Sequence, residues 1–242
     1  MAENTAIEWT SATWNPWQGC HKVSAGCDNC YMYRDKKRYG QDPTTVIRSS
    51  KGTFNMPLKL KEPANIFVCS WSDFFIEDAD EWRSEAWEII KKTPHLTYQL
   101  LTKRPQNIAG RLPADWGNGY PHVWLGVTAE NQEQYDKRRQ ILHQIPALLK
   151  FISVEPMLGP ICLDLVGGPG DPDMVICGTE SGPDRRKTDI DWIRNLRDQC
   201  VVSGTPFFLK QMEVNGKLVK MPELDGVVWR EYPKEERRDS ND

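Results

Sequence analysis

Two hydrophobic periodicities alternate along the chain. Short, almost wholly apolar runs rich in β-branched and aromatic residues read as buried strands over 66–70, 96–102, 122–128, 149–155, 174–178 and 206–211, with a shorter strand at 7–10 ahead of them. Longer mixed stretches read as helices over 28–39, 80–92, 131–143 and 189–203, with a short helix over 105–112. Thr188 and Asp189 stand where the last helix wants an N-cap, and Gly204-Thr-Pro206 ends it. Strand then helix, repeated about six times, predicts a parallel sheet covered by helices. Parallel strands are buried on both faces, which agrees with their unbroken apolar character. No G-x-G-x-x-G follows an early strand, which disfavours a dinucleotide-binding fold. The pattern favours an α/β fold of TIM type, an open or partial (β/α) barrel with about six to seven parallel strands. No repeat or linker divides the chain, so a single domain over 1–232 is expected, followed by a polar, disordered tail at 233–242.

In a parallel barrel all strand carboxyl ends meet on one rim, and that rim holds the active site. Here the strand ends carry carboxylates (Asp73, Glu130, Glu155, Glu180), cations (Lys103, Arg104, Lys210) and hydroxyls (Ser70, Ser72, Thr102, Thr128, Ser153). Any one of these has an ordinary structural use as a cap or an ion pair. Recurrence at the end of strand after strand points to a site.

Seven cysteines cannot all pair with one another. The first residues lack a secretory signal, and no apolar run approaches the roughly 20 residues of a membrane span. A cytoplasmic protein with reduced or metal-bound cysteines and no membrane partner is expected. The net charge of −3 announces no nucleic-acid field, although residues 1–62 hold nine Lys/Arg against six Asp/Glu. The densest basic cluster, Arg34, Lys36, Lys37 and Arg38, reads as a solvated helix face or as a phosphate-contacting patch.

Cys20, Cys27 and Cys30 form a C-x6-C-x2-C cluster just after the first expected strand, on the same rim. Thiolates select zinc or iron–sulfur clusters. Three thiols leave one position open, which suits a catalytic zinc or a [4Fe–4S] cluster with one free iron. Cys69 could close a structural zinc site as a fourth thiolate, whereas His21 is badly placed beside Cys20. Cys162, Cys177 and Cys200 read as core residues.

The run Trp14-Asn-Pro-Trp-Gln-Gly-Cys20 with Cys27-x-x-Cys30-Tyr31 resembles a phage and prophage three-cysteine-motif family of uncharacterised function. So do Leu101-Thr-Lys-Arg-Pro105, Trp124-Leu-Gly-Val-Thr128, Glu155-Pro-Met-Leu-Gly-Pro160, Gly178-Thr-Glu-Ser-Gly-Pro183 and Phe208-Leu-Lys-Gln211. That family is similar to a divergent branch of the radical S-adenosylmethionine superfamily. The resemblance implies that Cys20, Cys27 and Cys30 hold a [4Fe–4S] cluster, that S-adenosylmethionine chelates its open iron, and that reductive cleavage yields a 5′-deoxyadenosyl radical for hydrogen abstraction. The usual C-x3-C-x2-C is three residues shorter than the spacing here. By position, the resemblance places Ser70, Ser72 and Asp73 at the cofactor's amino group. Thr128, Glu130 or Glu155 would take the ribose, Lys103 or Arg104 the methionyl carboxylate, and 175–178 the adenine. Glu180 completes the set of cofactor-binding candidates, and Tyr98, Tyr120 and Cys177 are candidate hydrogen donors. The phage association implies a nucleobase, nucleotide or DNA substrate, in DNA modification or repair, and an electron donor such as flavodoxin or ferredoxin. Trp14 and Trp17 are expected to meet bases or to shield the cluster. The competing expectation is a non-catalytic zinc module that binds nucleic acid or a phage partner.

Overall fold

The computed structural model describes residues 5–168 and 170–233. In chain order its strands are β1 (Ala12–Trp14), β2 (Trp17–Gln18), β3 (Ile47–Arg48), β4 (Ala64–Val68), β5 (Leu96–Thr102), β6 (Val123–Thr128), β7 (Leu149–Val154), β8 (Met174–Gly178), β9 (Phe207–Val214), β10 (Lys217–Lys220), β11 (Glu223–Leu224) and β12 (Val227–Val228). The helices are α1 (Tyr31–Arg38), α2 (Lys51–Phe54), α3 (Asp80–Lys92), α4 (Gln132–Gln144) and α5 (Ile190–Ser203). One eight-stranded sheet runs β1-β4-β5-β6-β7-β8-β9-β10, parallel from β1 to β9 and antiparallel only at β10. It curls into a half-barrel whose end strands, β1 and β10, do not pair.

Alternation along each strand sorts side chains onto two faces. On β6, Val123, Leu125 and Val127 join a large core with Trp87, Ile90 and Leu142 of the covering helices, whereas Trp124 faces the other way. Trp124, Phe151, Met174, Ile176 and Phe208 form a second, smaller core on the inner face, capped by Trp9. Trp9 packs 4.7 Å from Phe67 and 6.1 Å from Phe151, ring centre to ring centre. A helix with acids in its first turn and bases in its last complements its dipole, as Asp80, Glu81, Lys91 and Lys92 do in α3.

Several expectations shift. The residues at 7–10 form a turn, and the first strand is β1, two residues further on. The short helix at 105–112 is two 3-10 turns, Pro105–Asn107 and Ala109–Arg111. Asp189, not Thr188, caps α5: its side chain accepts from the Asp191 N–H at 2.9 Å, while Thr188 donates to the Met157 carbonyl. The tail at 234–242 lies outside the described residues. Among the described residues, no helix is long and apolar enough to cross a membrane.

Candidate functional site

The carboxyl ends of β4 to β9 and the segment carrying the cysteines enclose a cavity of about 530 Å³. Cys20, Cys27 and Cys30 all line it, facing Ser70, Ser72, Asp73, Lys103, Arg104, Thr128, Ser153, Glu155 and Lys210. Residues 5–9 and Leu218 form its far wall. Lys220 secures that wall, donating to the Ala6 carbonyl at 2.5 Å and lying 2.6 Å from Glu8 Oε1.

Local conformation sets the cysteine segment in place. Gly19 has φ +101°, and a Cβ there would lie 2.2 Å from the Thr45 carbonyl oxygen, so only glycine lets the chain turn toward Cys20. Cys27 ends the 3-10 turn Ala25–Cys27, and Cys30 immediately precedes α1. Tyr31 donates its hydroxyl proton to the Ser70 carbonyl, and Tyr33 does the same to the Cys20 carbonyl. The Ser72 hydroxyl donates to the Gly19 carbonyl at 2.6 Å.

Three arginine–carboxylate pairs rising from the rim then seize the segment. Buried Asp73 accepts from the Thr102 hydroxyl at 2.7 Å, the Lys103 N–H at 3.1 Å and Arg104 Nη1 at 3.3 Å. Arg104 in turn donates to the His21 carbonyl at 2.7 Å and lies 3.6 Å from Cys20 Sγ. Glu130, which is 0% exposed, accepts the Gly26 N–H at 3.2 Å and Arg138 Nη1 at 2.8 Å. Arg138 Nη2 reaches the Ser24 hydroxyl at 2.9 Å. Glu180 accepts from Asn29 Nδ2 at 2.9 Å and from Arg186, whose Nη2 also donates to the Ala25 carbonyl at 2.8 Å. Burial alone would raise both glutamates. For Glu130, bonding to Ser24 and the charge of Arg138 outweigh it; for Glu180, the bonds from Arg186 and Asn29 do so, and both carboxyls stay below their usual range. Burial and the nearby Asp73 push the Cys20 thiol up to about 11, against the opposing charge of Arg104.

The expected site residues therefore divide. Glu130 and Glu180 do not line the cavity; their carboxylates hold the cysteine segment from behind. Asp73 and Arg104 line it but are bonded to each other and to the segment's surroundings. Lys103, Thr128, Ser153, Glu155 and Lys210 remain as polar residues lining the cavity. Lys210 Nζ lies 3.0 Å from Glu155 Oε1 as an ion pair, and the Ser153 hydroxyl donates to Glu155 Oε2 at 3.3 Å.

Other expectations are corrected by burial. Trp14 and Trp17 are core residues at 0% exposure, their indole N–H groups bonded to the Phe54 and Asp73 carbonyls, so neither can meet a base or face the cavity. The tryptophans that line the cavity are instead Trp9 and Trp71. Lys36 is buried, which reduces the exposed basic face of α1 to Arg34, Lys37 and Arg38. Cys162 is exposed rather than in the core, with its thiol 3.5 Å from Asp164 Oδ1. Cys177 and Cys200 are buried as expected. Neither residues 175–178 nor the side chains of Tyr98 and Tyr120 line the cavity. Arg138 and Arg186 carry no sequence signal of their role, because their targets lie 114 and 161 residues away.

A sequence-family model matches residues 4–233. The chain belongs to DUF5131, a family of proteins of unknown function. No curated protein and no solved structure matches it. What this DUF5131 member can do must therefore be read from the site. Among the described residues, no three His, Cys, Asp or Glu side chains converge closely enough to hold a single metal ion. A cubane cluster places different irons at different thiols, so its ligands need to face one cavity rather than one point. The cysteines of this DUF5131 chain meet the looser requirement: all seven are free, and the three in question line one cavity.

Proposed function

We propose that the protein is an iron–sulfur enzyme of the radical S-adenosylmethionine type, acting on a nucleobase or nucleotide in the modification or repair of DNA. The observation that carries the reading is that Cys20, Cys27 and Cys30, and no other set of thiols, border the cavity at the carboxyl rim of a parallel half-barrel. Cys69 also lines this cavity, but at 3% exposure it is packed into the large apolar core, which suits a core residue. A [4Fe–4S] cluster on the three cysteines would supply one-electron reduction of S-adenosylmethionine to a 5′-deoxyadenosyl radical. The chain's own residues would position the reactants. Lys103 offers a cation to the cofactor's carboxylate or to the substrate, and Thr128 lies 3.4 Å from its ammonium. Glu155, which lines the cavity, offers a carboxylate to hydroxyl donors such as those of a ribose. Ser70 Oγ accepts from Asn15 at 3.0 Å, which orients it at the cavity edge for an amino group. Trp9, Phe67 and Leu101 give the inner wall the apolar character that keeps water from a reactive centre.

The test is electron paramagnetic resonance of anaerobically prepared, reduced protein with and without S-adenosylmethionine. A [4Fe–4S] signal that shifts on adding the cofactor, and that is lost in Cys20→Ala, Cys27→Ala and Cys30→Ala but kept in Cys200→Ala, is the expected result. Colourless protein with one zinc per chain would replace this reading with a zinc-binding module.

A further inference from the structure

We infer that the cleft between Lys103 and Lys137, which adjoins the central cavity at Lys103, is a phosphoryl-binding subsite. This deepens the proposed function, on which it rests in taking a nucleotide or nucleic acid as substrate.

Most cations at the cavity are neutralised by a neighbour. Arg104 lies 3.3 Å from Asp73, Lys210 lies 3.0 Å from Glu155, and Lys220 lies 2.6 Å from Glu8. Lys103 differs: among the described residues it forms no ion pair, its ammonium donates to the Thr128 hydroxyl at 3.4 Å, and it feels Glu130 only at longer range. Lys103 also lines a second cleft, of about 330 Å³, with Lys137, Arg138, Gln106 and Gln134. Among the described residues, no Asp or Glu lines that cleft. Arg138 is matched by Glu130, but exposed Lys137, on α4, forms no ion pair among the described residues. Two ammonium groups that form no ion pair among the described residues, from different elements, thus line one recess in a chain whose net charge is −3. The carboxamides of Gln106 and Gln134 add neutral donors. Lysine ammoniums act as point charges and can gather around the several oxygens of a phosphoryl group, whereas a planar carboxylate is matched better by an arginine fork. Lys103 borders both spaces, so its ammonium is shared between the cavity and the adjoining cleft. The source is a free nucleotide or a nucleic-acid backbone, and both present the same chemistry.

Titration calorimetry of the full chain with inorganic phosphate, using acetate as control, tests the assignment. Saturable one-to-one binding of phosphate, absent for acetate, is expected. Lys137→Glu and Lys103→Met should each weaken it by about tenfold or more. Lys217→Glu, an equal charge change on β10 outside both spaces, should leave it unchanged. Binding of acetate as well, or equal weakening by Lys217→Glu, would show diffuse attraction and overturn the proposal, as would the absence of phosphate binding. Comparing thymidine 5′-monophosphate with a short single-stranded oligothymidylate then separates the sources: much tighter binding of the strand identifies the backbone, and similar binding identifies the nucleotide. None of these readouts involves iron. A protein without a cluster that still binds phosphate would sink the radical reading alone, and a cofactor-responsive cluster without phosphate binding would sink this one alone.

Discussion

Arg138 and Arg186 show how exposure sets the worth of similar contacts. The Glu130–Arg138 pair is almost wholly buried, with side-chain exposures of 0% and 4%. Removing one member of a buried pair strands the other charge without water, at a cost of about 3–5 kcal/mol. Arg186 is 35% exposed, and Glu180 keeps its bonds from Asn29 and the Arg186 backbone when that side chain is shortened. Arg138→Ala should therefore lower the unfolding free energy by about 3–5 kcal/mol, and Arg186→Ala by about 1 kcal/mol, in denaturant titrations of the two variants. Equal losses would mean that the segment's anchoring does not depend on burial. The sequence showed the rim carboxylates as a group and placed them at strand ends, but it offered no means of telling a ligand-facing carboxylate from one turned toward the chain. Glu155 and Glu130 are alike on paper. They differ because α4 carries Arg138 back over Glu130, whereas Glu155 lines the cavity and meets Lys210 and Ser153.

At the level of elements, strands β5 and β8 and helix α3 are where the hydrophobic pattern put them, because their periods are uninterrupted and their ends carry clear stop signals. The hairpin β9–β10 adds a strand beyond those the apolar runs predict, and Asn215-Gly216 is its strong short-range signal. Both residues adopt positive φ, 51° and 76°, as the tight turn between right-twisted strands requires. Asp225-Gly226, at 55° and 80°, joins β11 to β12 in the same way. The hairpin β9–β10 matters for the site, since β10 supplies Leu218 and Lys220 to the cavity wall and Lys220 ties down residues 6–8. Gly216→Val puts a β-branched side chain at φ 76° with no compensating contact and should destabilise the hairpin by about 1–2 kcal/mol. Hydrogen exchange should show faster opening of residues 5–9 together with 214–220, while β6 stays protected. Loosening of 214–220 alone would show that Lys220 does not secure the amino-terminal wall.

For the molecule as a whole, the half-barrel and the cysteine segment are two bodies with different sources of stability. The sheet is held by two apolar cores, which are insensitive to pH. The segment contributes few residues to either core and hangs instead on Asp73, Glu130 and Glu180. This division lay beyond the sequence, because every contact that makes it crosses from residues 20–30 to positions far along the chain. It has a consequence in acid. Glu130 and Glu180 both titrate below their usual value of 4.5 when folded. Groups with depressed folded values contribute stability that is complete above the unfolded value and is lost as the pH falls from there through the folded value. The anchoring of the segment should thus be constant above about pH 5, erode below 4.5 and be exhausted once both folded carboxyls are protonated. Exchange protection of the Gly26 and Arg34 amides, corrected for intrinsic rates, should fall through this range ahead of that of Leu125 in β6. In Glu180→Gln the neutral carboxamide removes one titrating group, so protection should start lower at neutral pH and fall less steeply. Parallel loss at Gly26 and Leu125 would mean that the carboxylates stabilise the whole fold rather than the segment, and that the site cannot loosen without the barrel.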